Sequence, residues 1–134
     1  MSGFLLDTNH LGAALDGDSA IYARLLTSRR EGKRIGTCAP VLCELAVGLQ
    51  QTARRDDNWK ALKVFLGQVR VWPLDADVAR HYGAVYHELR GKGRVMSQTD
   101  MMVAALARHA KLTVLTTDRD FEALPDIARE NWLQ

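Results

Sequence analysis

Four carboxylates punctuate the apolar segments of this chain. Asp7 stands directly after Phe4-Leu5-Leu6, and Glu44 sits between Val41-Leu42 and Leu45-Ala46. Asp100 closes Ser97-Gln98-Thr99-Asp100 ahead of an apolar stretch, and Asp118 follows the run Thr113-Val114-Leu115-Thr116. A charge left unpaired beside buried apolar surface is costly, and like charges in one pocket raise each other's pKa. A hard divalent cation relieves both costs, and an all-oxygen donor set suits Mg²⁺ or Mn²⁺. Such a site activates water and stabilises a leaving oxygen, which is the chemistry of phosphodiester hydrolysis. Each acid also has an ordinary reading. Asp7 can form a turn with Thr8-Asn9, Glu44 can be a solvated helix residue, and Asp100 can be a capping residue that complements the helix dipole. The apolar flanks favour a functional role for Asp7 and Glu44. Asp118 and Asp120 both lie in an ordinary polar turn, and either can be the fourth acid.

The elements that must position these acids alternate between strand and helix. Phe4–Leu6 reads as a short buried strand, and Ile35–Ala39, Val71-Trp72 and Thr113–Thr116 read as further short strands, with Ile127 to Arg129 as a last edge strand. Between them run helical patterns. Asn9 can cap a short helix from His10 to Leu15, and Ser19 caps one carrying Ile21, Leu25 and Leu26. Pro40 opens a third, with Val41, Leu42, Leu45, Ala46 and Leu49 on its apolar face. Asp56-Asp57 starts a fourth, bearing Trp59, Leu62, Leu66 and Val69, and Asp75 a fifth, bearing Val78, Tyr82, Val85, Tyr86 and Leu89. Ser97 to Asp100 resembles a capping box opening a sixth, with Met102, Val103, Leu106 and Ala107. This alternation predicts an α/β fold, a short twisted parallel sheet of four to five strands with helices on both faces. Ligands of such sheets bind beyond the carboxyl ends of the strands, where all four acids would fall.

Composition narrows the class. With 134 residues, 47% hydrophobic and 25% charged, the chain reads as one globular domain over 1–134. No apolar run approaches the roughly 20 residues that span a bilayer, and the first seven residues lack the basic start of a signal peptide. Cys38 and Cys43 are too few for a disulfide framework, so both read as reduced thiols of a cytoplasmic protein. The formal charge is +2. Gathering four acids at one place leaves the remainder more basic, which suits a polyanionic substrate.

In this order and at these separations, the segments resemble the PIN-domain ribonucleases, and within them the VapC-type toxins of bacterial toxin–antitoxin pairs. Leu6-Asp7-Thr8-Asn9 is similar to the family's opening motif, Pro40 to Gly48 to its second, Asp100 to Ala107 to its third and Thr116 to Phe121 to its fourth. Glu130-Asn131-Trp132 is similar to the end of many such toxins. The resemblance implies a PIN-like fold. Asp7, Glu44 and Asp100 become metal-binding catalytic acids, with Asp118 as the more variable fourth. It assigns Thr8, Asn9 and Thr116 to orienting water or phosphate. It further implies Mg²⁺- or Mn²⁺-dependent cleavage of tRNA or ribosomal RNA, a homodimer with one groove past two sites, and a cognate antitoxin whose tail enters that groove. One departure is Val95 to Thr99, where many relatives carry Pro or Ile just before the third acid; it bears on the shape of the substrate groove.

Other residues have more ordinary readings. Arg90, Lys92 and Arg94, around two glycines just before Asp100, are candidates for RNA phosphate contacts, with a solvated loop as the alternative. Arg29, Arg30, Lys33 and Arg34 read as a solvated turn. The four histidines read as surface or partner residues, His10 being the possible exception because it follows the Asp7 turn. Trp59, Trp72 and Trp132 read as core or interface residues. Three other functions compete. A non-toxin RNA-processing nuclease would share the fold, and a catalytically silent RNA- or partner-binding module would not need the acids. An aspartate-nucleophile phosphotransferase would need an acid where Asn9 stands. No Gly-x-Gly-x-x-Gly follows the first strand, which disfavours a dinucleotide-binding protein.

Overall fold

A computed structural model describes residues 2–133. Strand β1 (Gly3–Leu6) is buried at every position, as a central parallel strand must be. β2 (Arg34–Cys38) and β3 (Arg70–Trp72) lie to one side of it, β4 (Thr113–Leu115) and β5 (Arg129–Glu130) to the other. The order β3-β2-β1-β4-β5 is parallel throughout. It agrees with the five-strand limit of the sequence reading, although β5 begins two residues later than expected.

Six helices connect the strands: α1 (Thr8–Ala13), α2 (Ala20–Arg30), α3 (Ala39–Gln50), α4 (Arg55–Leu66), α5 (Ala76–Gly91) and α6 (Gln98–Ala110). Their starts follow capping chemistry. Ser19, Asp75 and Ser97 accept from the amides of Tyr22, Val78 and Asp100. The first helix departs from expectation. Asp7, not Asn9, is its cap, and the helix ends at Ala13.

α6 buries Val103, Ala104, Ala105, Leu106 and Ala107, and its small side chains let α5 lie close. Arg108 clamps the pair. It donates through Nη1 to Glu88 on α5 and through Nε and Nη2 to both oxygens of Asp126. On α4, Leu62 and Phe65 turn inward while Trp59 stays 48% exposed, so the expected face is rotated. Trp132 packs against Phe4 at 4.7 Å between ring centroids, and the Arg24 guanidinium covers its ring.

Two buried or anchored side chains correct the sequence reading. His10 is fully buried, and its Nε2 accepts from the Trp132 amide at 3.0 Å. Burial holds it neutral, with a pKa lowered to about 4, so it is a tie for the C-terminal segment, not a surface residue. Lys92 Nζ donates to the Ala123 carbonyl at 2.6 Å, tying the end of α5 to the turn that follows β4.

Gly36 is matched with Arg70 where β2 meets β3. A methyl there would lie inside contact distance of the Arg70 carbonyl and 2.8 Å from the Trp72 ring. Gly36→Ala is therefore expected to destabilise the fold by about 1–3 kcal/mol, the usual cost of overpacking. A lower denaturation midpoint at unchanged slope would be the signature, and an unchanged midpoint would contradict the tight β2–β3 approach.

Candidate active site

The strand order reverses at β1. Its chain continues toward β2 on one side while β4 lies on the other. A crevice opens beyond the carboxyl ends of adjacent strands at such a switch point, and here those ends are Leu6 and Leu115. The Asp7 amide donates to the Leu115 carbonyl at 3.0 Å, which carries the β1–β4 pairing one residue into the site.

Asp7 is only 8% exposed. Its Oδ1 accepts from the Thr8 amide at 2.8 Å, and its Oδ2 accepts from Thr116 Oγ1 at 2.9 Å. The same Thr116 oxygen accepts from the Asp118 amide at 3.0 Å, so one hydroxyl fixes both acids. Asp118 in turn accepts from the Asp120 amide at 2.8 Å and opens the 3-10 turn Arg119–Ala123. Asp100, also 8% exposed, sits in the first turn of α6, where its amide donates to Ser97 Oγ.

The acids meet in space. Carboxylate oxygens of Asp100, Asp118 and Asp120 all lie within 4.8 Å of one another. Asp120 therefore joins Asp118 in the cluster, although it is exposed while Asp118 is half-buried. Glu44 stands apart from this triplet on the exposed side of α3, in the second turn of that helix and not inside its apolar stripe. It still reaches the site, because Thr8 Oγ1 donates to its Oε1 at 2.7 Å and its charge acts on Asp7. Asn9 Nδ2 donates to Thr117 Oγ1 at 2.8 Å, joining α1 to the segment after β4.

The electrostatics match this crowding. Burial raises the Asp7 pKa first, the Thr8 amide and Thr116 hydroxyl oppose it, and the charges of Glu44 and Asp118 raise it further. Asp100 is raised to about 7 by burial, then by a hydrogen bond with Asp118 that favours its protonated form, then by the charges of Asp7 and Asp118. An all-carboxylate set at this spacing fits a hard divalent cation, which would turn that repulsion into attraction.

Arg90 and Arg94 are exposed and line an apolar-floored recess of about 240 Å³ with Tyr86, Val95, Met96 and Met101. Met101, which follows Asp100 on α6, is one of its lining residues, and none of the acids lines it. Sequence reasoning did not give Thr117 a role. Its position in Thr116-Thr117-Asp118, opposite a helix that starts after Asp7, is the only signal for it. Ser97 was legible only as a cap, yet its hydroxyl both accepts from the Asp100 amide and opposes the rise in the Asp100 pKa.

The PIN domain family model matches residues 4–127. The ribonuclease VapC2 of Rickettsia felis is 26% identical over 96% of this chain and 97% of that protein. The tRNA(fMet)-specific endonuclease VapC of Shigella flexneri is 29% identical over 98% and 99%. Among solved structures, VapBC2 of Rickettsia felis bound to a DNA fragment from its promoter superposes with a TM-score of 0.86 at 26% identity, covering 98% of this chain and 99% of that one.

The raised acids set a pH dependence. The folded chain holds protons on Asp7 and Asp100 that the unfolded chain releases near pH 4. Stability from this source is therefore full below about pH 4 and is lost as pH rises through the Asp100 value of about 7. Asp100→Asn is expected to raise the melting temperature by a few degrees at pH 8 in EDTA, on a scale of about 4 °C per kcal/mol. At pH 5 the change should be small. Calorimetry at the two pH values reads the difference, and equal effects at both would contradict the crowding of charge at Asp100.

Proposed function

Because the chain belongs to the PIN domain family, we propose that it is a VapC-type endoribonuclease toxin that hydrolyses RNA phosphodiester bonds at the carboxylate cluster. The observation that carries this reading is the convergence of Asp100, Asp118 and Asp120 within 4.8 Å, beside a buried Asp7 whose charge acts on Asp100. Asp7, Asp100 and Asp118 are the residues that would hold Mg²⁺ or Mn²⁺, with Glu44 and Asp120 at the margin. Such an ion, when bound, supplies positive charge that acidifies water and stabilises the phosphate and its leaving oxygen.

The chain's own groups do the positioning. Thr116 aims one oxygen of Asp7 and the backbone of Asp118 at once. Thr8 plays the matching part on the other flank, with its amide on Asp7 and its hydroxyl on Glu44. Asp100, with a pKa of about 7, is poised to accept or give a proton near neutral pH. Arg90 and Arg94 are suited to RNA phosphates entering along the start of α6. The carbonyl bond of Lys92 makes it chiefly a structural tie, and its remaining donors lie beside the turn of Asp118.

The similarity to a tRNA(fMet)-specific endonuclease supports a structured RNA, tRNA or ribosomal RNA, as substrate. The likeness to VapBC2 supports a cognate antitoxin as partner, and exposed Val47, Trp59 and Val64 on α3 and α4 offer apolar surface for one. A homodimer belongs to the same reading.

The test is cleavage of total cellular RNA by partner-free protein in Mg²⁺, in Mn²⁺ and in EDTA. Discrete products are expected with either metal and none in EDTA. Asp7→Asn and Asp100→Asn should each slow cleavage by roughly 10²–10³-fold, the scale of losing one group that stabilises transition-state charge. Equal cleavage by wild type and both variants would refute the assigned site.

A further inference from the structure

The edge of the sheet opposite the acids is lined with cations. Arg29 at the end of α2, Lys33 in the turn after it, Arg34 at the start of β2 and Arg70 at the start of β3 surround a cleft of about 460 Å³, with Gln68 beside them. Among the described residues, no carboxylate lines this cleft. Among the described residues, Arg29, Lys33 and Arg70 form no ion pair within 4.0 Å. In sequence, Arg29 to Arg34 looked like a solvated turn. Arg70, some 40 residues on, is what changes that reading.

The fold builds the cleft. Gly32 takes a φ of +87°, which lets the chain reverse sharply from α2 into β2, and the Lys33 amide donates to the Ser28 carbonyl. Arg34 Nη2 donates to the Ala110 carbonyl at 2.9 Å, fixing one guanidinium in place. The close approach of β3 at Gly36 then brings Arg70 alongside. Gathering Arg29, Lys33 and Arg70 without an ion-pair partner among the described residues is electrostatically unfavourable unless a polyanion meets them, and a phosphodiester backbone supplies regularly spaced negative charge.

We infer that this cleft is a second RNA-backbone site, which anchors a distal part of a folded RNA while the acids act on the scissile bond. The inference rests on the nuclease reading above and extends it to the shape of the substrate. The strands are parallel, so the two sites lie at opposite ends of the sheet, separated by at least the roughly 15 Å of a five-residue strand. An RNA that fills both must wrap that edge. A short single strand has fewer phosphates to share between the two.

The test compares Arg29→Gln/Lys33→Gln/Arg70→Gln with the unaltered cleft, both in an Asp100→Asn background so that RNA stays intact. Arg34 is spared because it holds Ala110. Fluorescence anisotropy would follow unfractionated tRNA and an eight-nucleotide RNA across a salt series, with melting temperatures checking the fold. Three lost phosphate contacts should weaken tRNA binding at least about 10-fold and flatten the slope of log affinity against log salt by about two to three. The eight-mer, with fewer phosphates to offer the cleft, should weaken by less than tRNA. Arg70→Gln alone should shift tRNA binding in the same direction by less, which guards against misfolding of the triple variant. Unchanged tRNA affinity and slope, or an equal loss on the eight-mer, would each overturn the inference. Metal-dependent cleavage by the wild type is scored separately, so the nuclease reading stands or falls on its own result.

Discussion

The hydroxyl of Thr116 joins the two strands at which the sheet reverses, and the arrangement of the acids depends on it. It donates to Asp7 beyond β1 and accepts from the amide of Asp118 beyond β4. That bridge, with the backbone pairing of Asp7 to Leu115 and the Asn9–Thr117 bond, holds two mutually repelling carboxylates at fixed separation. Asp100 enters from a third direction on α6, an element made rigid by its buried alanines and by the Arg108 clamp. The acids are therefore positioned by strand ends and a helix start, not by mobile loops. A site built this way keeps its geometry when charge is added or removed.

Charge is divided between the two ends of the sheet. The modest net charge of +2 conceals an acidic carboxyl edge and a basic amino edge. Like charges are packed at each end, and a partner of opposite sign would relieve each. A divalent cation suits the first and a phosphodiester backbone suits the second. The same molecule can serve both, since RNA brought to the acids carries its own negative charge and gains from cations held farther along its path. A chain with mixed surface charge would lack that polarity.

The sequence made the scaffold legible because its signals are local. Apolar runs of two or three residues ended by Asp7 or Pro73 mark strands, and Ser19, Asp75 and Ser97 mark helix starts. The acids were legible for a related reason: a charge directly after Phe4-Leu5-Leu6 has to lie near the core. What failed depends on tertiary contacts. Asn9 has the chemistry of a cap, but Asp7, two residues earlier, takes that place once β1 ends at Leu6. His10 is buried because Trp132 folds back over it, a contact 122 residues distant. Lys92 looks free in a glycine-flanked loop until the Ala123 carbonyl is placed beside it. The basic cleft is likewise invisible until β3 sets Arg70 against the α2–β2 turn.

Isothermal titration of Mn²⁺ into the wild-type protein near pH 6.5, repeated in two buffers of different ionisation enthalpy, measures both binding and the protons it displaces. If crowded acids at the sheet edge form a cation site, Mn²⁺ binds and releases close to one proton, drawn chiefly from Asp100, whose pKa of about 7 keeps it largely protonated there. Asp100→Asn should bind more weakly and lose that release. Mn²⁺ binding without proton release, or no binding to folded protein, would contradict the account.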